Sequence, residues 1–131
     1  MKRDYHGSCH CGAVKYRAAI DLDAGTVRCN CSICSKGRFW LAAVSPDDFE
    51  LEQGEAALTT YQFGPHNIEH RFCATCGVKP FGHSAKGAGF YAISLATLDD
   101  ASPEALAAAP VAYVDGLADA FDRPPAVTSY L

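Results

Sequence analysis

The sequence predicts a mainly β fold built from antiparallel sheets, with one short helix near the C-terminus. Short segments rich in aromatic and β-branched residues recur along the chain, separated by Gly, Pro and Asp. Only one segment combines a helix start signal with a long enough run of helix-forming residues. With 131 residues the chain can bury one hydrophobic core, so we expect residues 1–131 to form a single domain.

The clearest strand lies at 14–20, directly after Cys11, and we expect the first strand there. Apolar and polar residues alternate in it with the period of a strand that has one buried face. Further strands are predicted from composition at 39–44, 58–63, 68–72, 90–96 and 111–114.

The helix is expected at 103–109. Ser102 suits the N-cap, Pro103 the first helical position and Glu104 the first turn. Ser45 and Pro46 repeat this start signal, but Gly54 follows too soon for more than a helical turn. The segment 117–131 contains adjacent prolines and no clear period, and it suggests no function.

Composition excludes several classes of function. The net charge is −4 and the Lys and Arg residues are scattered, so the basic stripe expected of a nucleic-acid-binding protein is missing. No segment has the length of a membrane span, and the N-terminus lacks the apolar run of a signal peptide. We therefore expect a cytoplasmic protein with neither nucleic acid nor membrane as its partner.

The seven cysteines predict metal sites. An odd number of thiols in a reducing compartment argues against a disulfide framework. They cluster in three groups, Cys9-His10-Cys11, Cys29-Asn30-Cys31-Ser32-Ile33-Cys34 and Cys73-Ala74-Thr75-Cys76.

The outer two groups predict a closed structural zinc site. Such a site needs four ligands, commonly thiolates supplied as two close pairs. Gly12 and Gly77 each follow the second cysteine of a pair, where positive φ lets the backbone turn around a metal. The predicted ligands of this zinc are Cys9, Cys11, Cys73 and Cys76.

The remaining cysteines predict a catalytic zinc with an open position. Cys29, Cys31 and Cys34 supply three ligands, and three protein ligands with one vacancy are typical of catalytic zinc. A four-cysteine site and a three-cysteine site together use every cysteine. Adding one outer cysteine to the triplet would instead leave three thiols without a partner. We expect two zinc ions per chain, the second partly occupied because three thiolates bind less tightly than four.

Other interpretations of the cysteines remain open at this point. All seven thiols could serve stability alone, and an iron–sulfur cluster also accepts cysteines, although ferredoxin spacing is missing. A redox role for Cys73 and Cys76 lacks the helix that should follow them. A histidine could also close the second site, and the candidates are His6, His10, His66, His70 and His83.

The chemistry of a three-thiolate zinc favours thiol substrates. Such a centre is formally anionic and activates water weakly, but it can hold a substrate thiol as thiolate. An anionic thiol would be repelled without nearby cations, and Arg28, Lys36 and Arg38 flank the triplet in sequence. His83 is a candidate proton shuttle, with packing or surface exposure as the other interpretation.

Three motifs together resemble one family. They are Gly7-Ser8-Cys9-His10-Cys11-Gly12, the Cys29-x-Cys31-x-x-Cys34 triplet and Arg71-Phe72-Cys73-x-x-Cys76-Gly77-Val78. In this order they resemble the glutathione-dependent formaldehyde-activating enzymes, a family that also includes centromere protein V, over about 5–115. The resemblance implies a β-tent fold of antiparallel sheets whose segments are joined by a structural zinc at the outer pairs.

The resemblance also implies an activity. It is the condensation of glutathione with formaldehyde to S-(hydroxymethyl)glutathione, a carbon–sulfur lyase reaction in reverse, with Cys29, Cys31 and Cys34 on the catalytic zinc. The implied partners are a small thiol such as glutathione and a small aldehyde. The alternative is a non-catalytic, zinc-stabilised protein-binding module on the same scaffold, which an exposed apolar patch would indicate. The negative net charge argues against a centromere-protein-like role on nucleic acid or microtubules.

Overall fold

The fold is mainly β. The structure is a computed structural model that describes all residues 1–131. None of its helices is both long and apolar enough to cross a membrane. The strands are β1 (Arg3–Ser8), β2 (Lys15–Ile20), β3 (Thr26–Cys29), β4 (Leu41–Val44), β5 (Phe49–Gln53), β6 (Leu58–Tyr61), β7 (Glu69–Cys73), β8 (Phe81–Ser84), β9 (Phe90–Ser94) and β10 (Val111–Val114), and the α-helices are α1 (Ser32–Gly37) and α2 (Pro103–Ala108).

The strands form two sheets. The smaller has three strands in the order β1-β2-β5, and the larger has seven in the order β10-β3-β4-β9-β8-β7-β6. Neighbours are antiparallel except β10 and β3, which run parallel. The predicted antiparallel architecture is thus confirmed, with one parallel pair at an edge of the larger sheet.

The best-predicted elements are those with a local signal. The alternating segment forms β2, and Val111–Val114 forms β10. Helix α2 begins as expected, with the Ser102 hydroxyl accepting the Ala105 N–H at 3.0 Å. The helical turn is a 3₁₀ turn at Pro46–Asp48.

Two sequence expectations were wrong. The first strand does not begin after Cys11, because β1 precedes it; β1 is polar, mostly exposed and lies at a sheet edge, so its sequence has no buried-face period. The chain also has two α-helices instead of one. The unexpected helix, α1, lies inside the cysteine triplet, where six residues without an apolar stripe give no helical signal. Strands β3, β5 and β8 were also missed.

The core lies between the two sheets. Tyr16 and Phe81 face each other there, fully buried, with Phe49 and Tyr91 stacked beside them at a ring-centroid distance of 4.0 Å. Side chains alternate between the faces of a strand, so residues adjacent to these core residues point to the other face of the larger sheet. That outer face is available for a site.

Tyr16 carries a polar group into this core. Its hydroxyl lies 2.7 Å from Oγ1 of Thr97, which itself donates to the Ser94 carbonyl at 2.8 Å. Burial raises the pKa of Tyr16, so the phenol stays neutral and can hydrogen-bond. Its ring covers Gly7 on β1, where any Cβ would collide with the ring. The Tyr16 hydrogen bond thus satisfies a polar group that would otherwise be costly to bury.

We expect Tyr16→Phe to lower the free energy of unfolding by about 1 kcal/mol, because the change removes one buried hydrogen bond and little packing. Urea unfolding in a reducing buffer measures it. Tyr61→Phe is the matched control, since the Tyr61 side chain is 51% exposed. Equal stability of the two variants would contradict the structural importance of the Tyr16 hydroxyl.

Candidate metal centres

The outer cysteines lie in two loops with the same backbone design. The Cys9 N–H donates to the Val14 carbonyl at 3.1 Å, and the Cys73 N–H donates to the Val78 carbonyl at 3.0 Å. Each loop turns at a glycine with positive φ, +82° at Gly12 and +76° at Gly77. Such loops point two thiols from each segment toward one place.

The four outer sulfurs have the spacing of metal ligands. Cys9, Cys11, Cys73 and Cys76 place their Sγ atoms within 4.8 Å of one another, and the Cys9–Cys11 and Cys11–Cys73 distances are both 3.7 Å. Sulfurs bound to one zinc at about 2.3 Å lie about 3.8 Å apart in a tetrahedron, whereas a disulfide requires about 2.05 Å. The chain has no disulfides, and this group fits a tetrahedral metal.

The outer group joins the two sheets. Cys9 directly follows β1 of the smaller sheet, and Cys73 is the last residue of β7 in the larger one. Both thiols are buried beside the fully buried Val14. A metal here would link the sheets at one end of the core.

The inner cysteines form a second group. Cys29 ends β3, Cys31 is the N-cap residue of α1 and Cys34 lies in its first turn. Their Sγ atoms also lie within 4.8 Å of one another, and the Cys31 N–H points to the Cys29 sulfur at 3.3 Å. The histidine alternative is not favoured, because none of the five histidines contributes to this group. The group therefore offers three thiols to a metal.

The segment after β10 holds the inner group in place. Asn30, which is buried between Cys29 and Cys31, donates to Asp115 Oδ1 at 3.0 Å and accepts the Leu117 N–H at 3.0 Å. Gly116 passes so close that a Cβ there would clash with the Cys29 sulfur. The start of the tail, for which the sequence suggested no function, thus positions the triplet.

Hydrogen bonding among the inner thiols favours one thiolate. The Cys34 thiol donates to the Cys31 sulfur, which lowers the pKa of Cys31 to about 5. The same bond, aided by burial, raises the pKa of Cys34, and burial raises the pKa of Cys29. Anionic sulfur at neutral pH is what metal binding needs.

Lys79 is the cation of this site, and the sequence analysis missed it. Its Nζ lies 2.7 Å from His70 Nδ1 and 4.2 Å from the centroid of the Phe39 ring. Burial lowers the pKa of Lys79, while Cys34 and Cys31 raise it. Burial and the neighbouring Lys79 lower the pKa of His70 to about 4, so neutral His70 accepts a hydrogen bond from the ammonium.

The cations expected from sequence proximity lie elsewhere. Arg28 points to the opposite face of β3 from Cys29, and its guanidinium lies 5.1 Å from the Trp40 ring centroid. Lys36 and Arg38 are exposed on and after α1. His83 lies on the core-side face of β8, with its Nδ1 2.9 Å from Glu69 Oε1 and its ring against Tyr91. None of them lines the cavity beside the triplet.

A cavity of about 490 Å³ opens beside the inner group, on the outer face of the larger sheet. The three cysteines, Lys79 and His70 lie on its wall. The other lining residues are mostly apolar and come from α1, β3, β4, β8, β9, β10, the loop before β7 and the tail. The inner thiols thus lie on the wall of a cavity that a small molecule can enter, whereas the outer group lies at the junction of the two sheets, with Cys11 exposed.

Comparison with known proteins gives the same family as the motifs. A crystal structure of a Rhodobacter sphaeroides protein, solved in a structural genomics programme, is 31% identical, with a TM-score of 0.71, and the match covers 82% of this chain and 99% of that one. The family model described as "Glutathione-dependent formaldehyde-activating enzyme" matches residues 4–115, which include all seven cysteines. The chain belongs to the glutathione-dependent formaldehyde-activating enzyme family.

Proposed function

We propose that this protein is a zinc-dependent enzyme that condenses a thiol with a small aldehyde, the reverse of a carbon–sulfur lyase reaction. The observation that carries the proposal is the group of three thiols on the wall of a cavity, with a half-buried lysine beside it. Family membership supports glutathione and formaldehyde as the first reactants to test. The shared core between the two sheets supports one domain over 1–131.

Thiolate ligands suit zinc, and we assign it to both cysteine groups. Cys9, Cys11, Cys73 and Cys76 would hold a structural zinc with all four positions filled by protein. Cys29, Cys31 and Cys34 would hold a second zinc, with the remaining position left for the sulfur of the substrate. Bound there, zinc would keep a substrate thiol ionised and nucleophilic near neutral pH.

Lys79 supplies the positive charge that this chemistry requires. Three thiolates and a substrate thiolate around one divalent ion leave excess negative charge, and Lys79 offsets it at short range. His70 keeps the ammonium in place by accepting its hydrogen bond. In the reaction a sulfur electron pair forms the bond to carbon, the carbonyl π pair moves to oxygen, and the thiol proton ends on that oxygen. Lys79 is placed to donate a hydrogen bond to the developing oxyanion.

The alternative, a protein-binding module, draws support from a different part of the surface. Leu117, Val127 and Tyr130 of the tail are large apolar residues that are at least 48% exposed. A docking surface, however, does not require thiols on the wall of a cavity. The accessible triplet favours the enzyme.

The purified protein should contain two zinc ions per chain when metal is not limiting, and Cys34→Ser should contain one. Ser35→Ala, one residue along α1, is the matched control and should keep both ions. Cys76→Ser should lower the melting temperature far more than Cys34→Ser, because it opens the site that joins the sheets. Elemental analysis and thermal unfolding measure these outcomes. A single ion in the wild-type protein after zinc saturation would contradict the second site.

Zinc-loaded protein should accelerate formation of S-(hydroxymethyl)glutathione above its spontaneous rate, as measured by NMR exchange. Lys79→Met should reduce this acceleration by about 100-fold, the usual scale for losing one oxyanion donor. Lys79→Arg should retain part of the activity, and Arg38→Met is the control for loss of an exposed charge. Acceleration equal to wild type in Lys79→Met would refute the role of Lys79, whereas no acceleration by any form would refute the reaction.

A further inference from the structure

The cavity beside the triplet offers few polar groups. Apart from the thiols, Lys79, His70 and Asn67, its wall consists mainly of aliphatic and aromatic side chains, among them Val27, Ile33, Leu41, Ile68 and Phe90. Lys79 is the one charged residue that lines it, and its ammonium is already bonded to His70. A ligand that extends from the triplet along this cavity therefore meets hydrocarbon.

Glutathione is poorly matched to such a wall. It carries two carboxylates, an ammonium and two amide groups, and each must keep a hydrogen-bonding partner when it leaves water. The cavity offers Lys79 and Asn67 as its main donors and no arginine that could clamp a carboxylate. Burying the body of glutathione here would leave several polar groups without partners.

We propose that the thiol used by this site is carried on an uncharged, apolar body, of the arylmethyl or branched alkyl class. The inference rests on the proposed function, because the substrate sulfur must reach the inner cysteines for its body to lie in the cavity. The cavity volume of about 490 Å³ lies within the usual range for small organic ligands. The aldehyde then meets the sulfur beside Lys79.

Two aromatic residues on the cavity wall support this assignment. Phe63 follows β6 and Phe121 lies in the tail, and their side chains are 40% and 60% exposed. Exposed rings beside an apolar cavity are typical of a binding site whose ligand completes their burial. Both rings line the cavity, so both would contact a ligand that fills it.

Calorimetric titration of zinc-loaded protein with phenylmethanethiol and with glutathione tests the inference. We expect the aromatic thiol to bind at least about tenfold more tightly, since its ring buries apolar surface against the wall. Phe121→Ala and Phe63→Ala should each weaken phenylmethanethiol by about fivefold and leave glutathione nearly unchanged. Leu117→Ala is the matched control, a tail residue that is 67% exposed and does not line the cavity. Cys34→Ser should abolish binding of both thiols.

The outcomes separate the two proposals. If both thiols bind with equal affinity and binding requires Cys34, this inference is overturned and the proposed function stays intact. Tighter binding of glutathione, or no effect of the two phenylalanine variants beyond that of Leu117→Ala, would overturn it as well. Thiol binding that persists unchanged in Cys34→Ser, or no binding of either thiol to the zinc-loaded protein, would overturn both proposals.

Discussion

The convergence of two distant cysteine pairs is the contact on which the rest of the structure depends. Cys9 and Cys11 belong to the end of β1 and the turn after it, whereas Cys73 and Cys76 belong to the end of β7 and its turn. A metal bound by both pairs would link segments far apart in sequence and remove much of the freedom of the unfolded chain. It would also set the position of the smaller sheet against the larger one, and so the space in which the Tyr16 and Phe81 rings pack.

Because side chains alternate along its strands, the larger sheet presents core residues on one face and cavity-lining residues on the other. On β4, β8 and β9, one set of residues enters the core, while the next set faces the cavity. Cavity-lining residues such as Leu41 and Phe90 can therefore vary without disturbing Phe81 or Ile93. The same rule explains why His83 lies away from the triplet: it is two residues from Phe81, so it shares the core-side face of β8.

What the sequence could predict depended on whether the signal was local. Cysteine clusters, a Ser-Pro helix start and the alternation in β2 are local, and the mainly β class, α2 and the two groups of thiols followed from them. Strand β8 and helix α1 are short and have no period of their own, so only tertiary contacts define them. The prediction of which cation lies beside the triplet was wrong for a related reason. Arg28 and Arg38 are near the triplet in sequence, but strand alternation and the end of α1 turn them away, whereas Lys79 arrives from another loop.

The position of Lys79 links the two cysteine groups. It follows Cys76 by three residues, directly after Val78, whose carbonyl accepts the Cys73 N–H in the outer loop. The next residue, Pro80, is buried and leads into β8, so the Lys79 backbone is held on both sides. Its ammonium then crosses to His70 and the inner thiols. The outer group therefore does more than join the sheets, because the loop that supplies its last two sulfurs also delivers the charge that an anionic thiol site requires. The same loop therefore supplies two thiols to the outer cysteine group and a positive charge to the inner one.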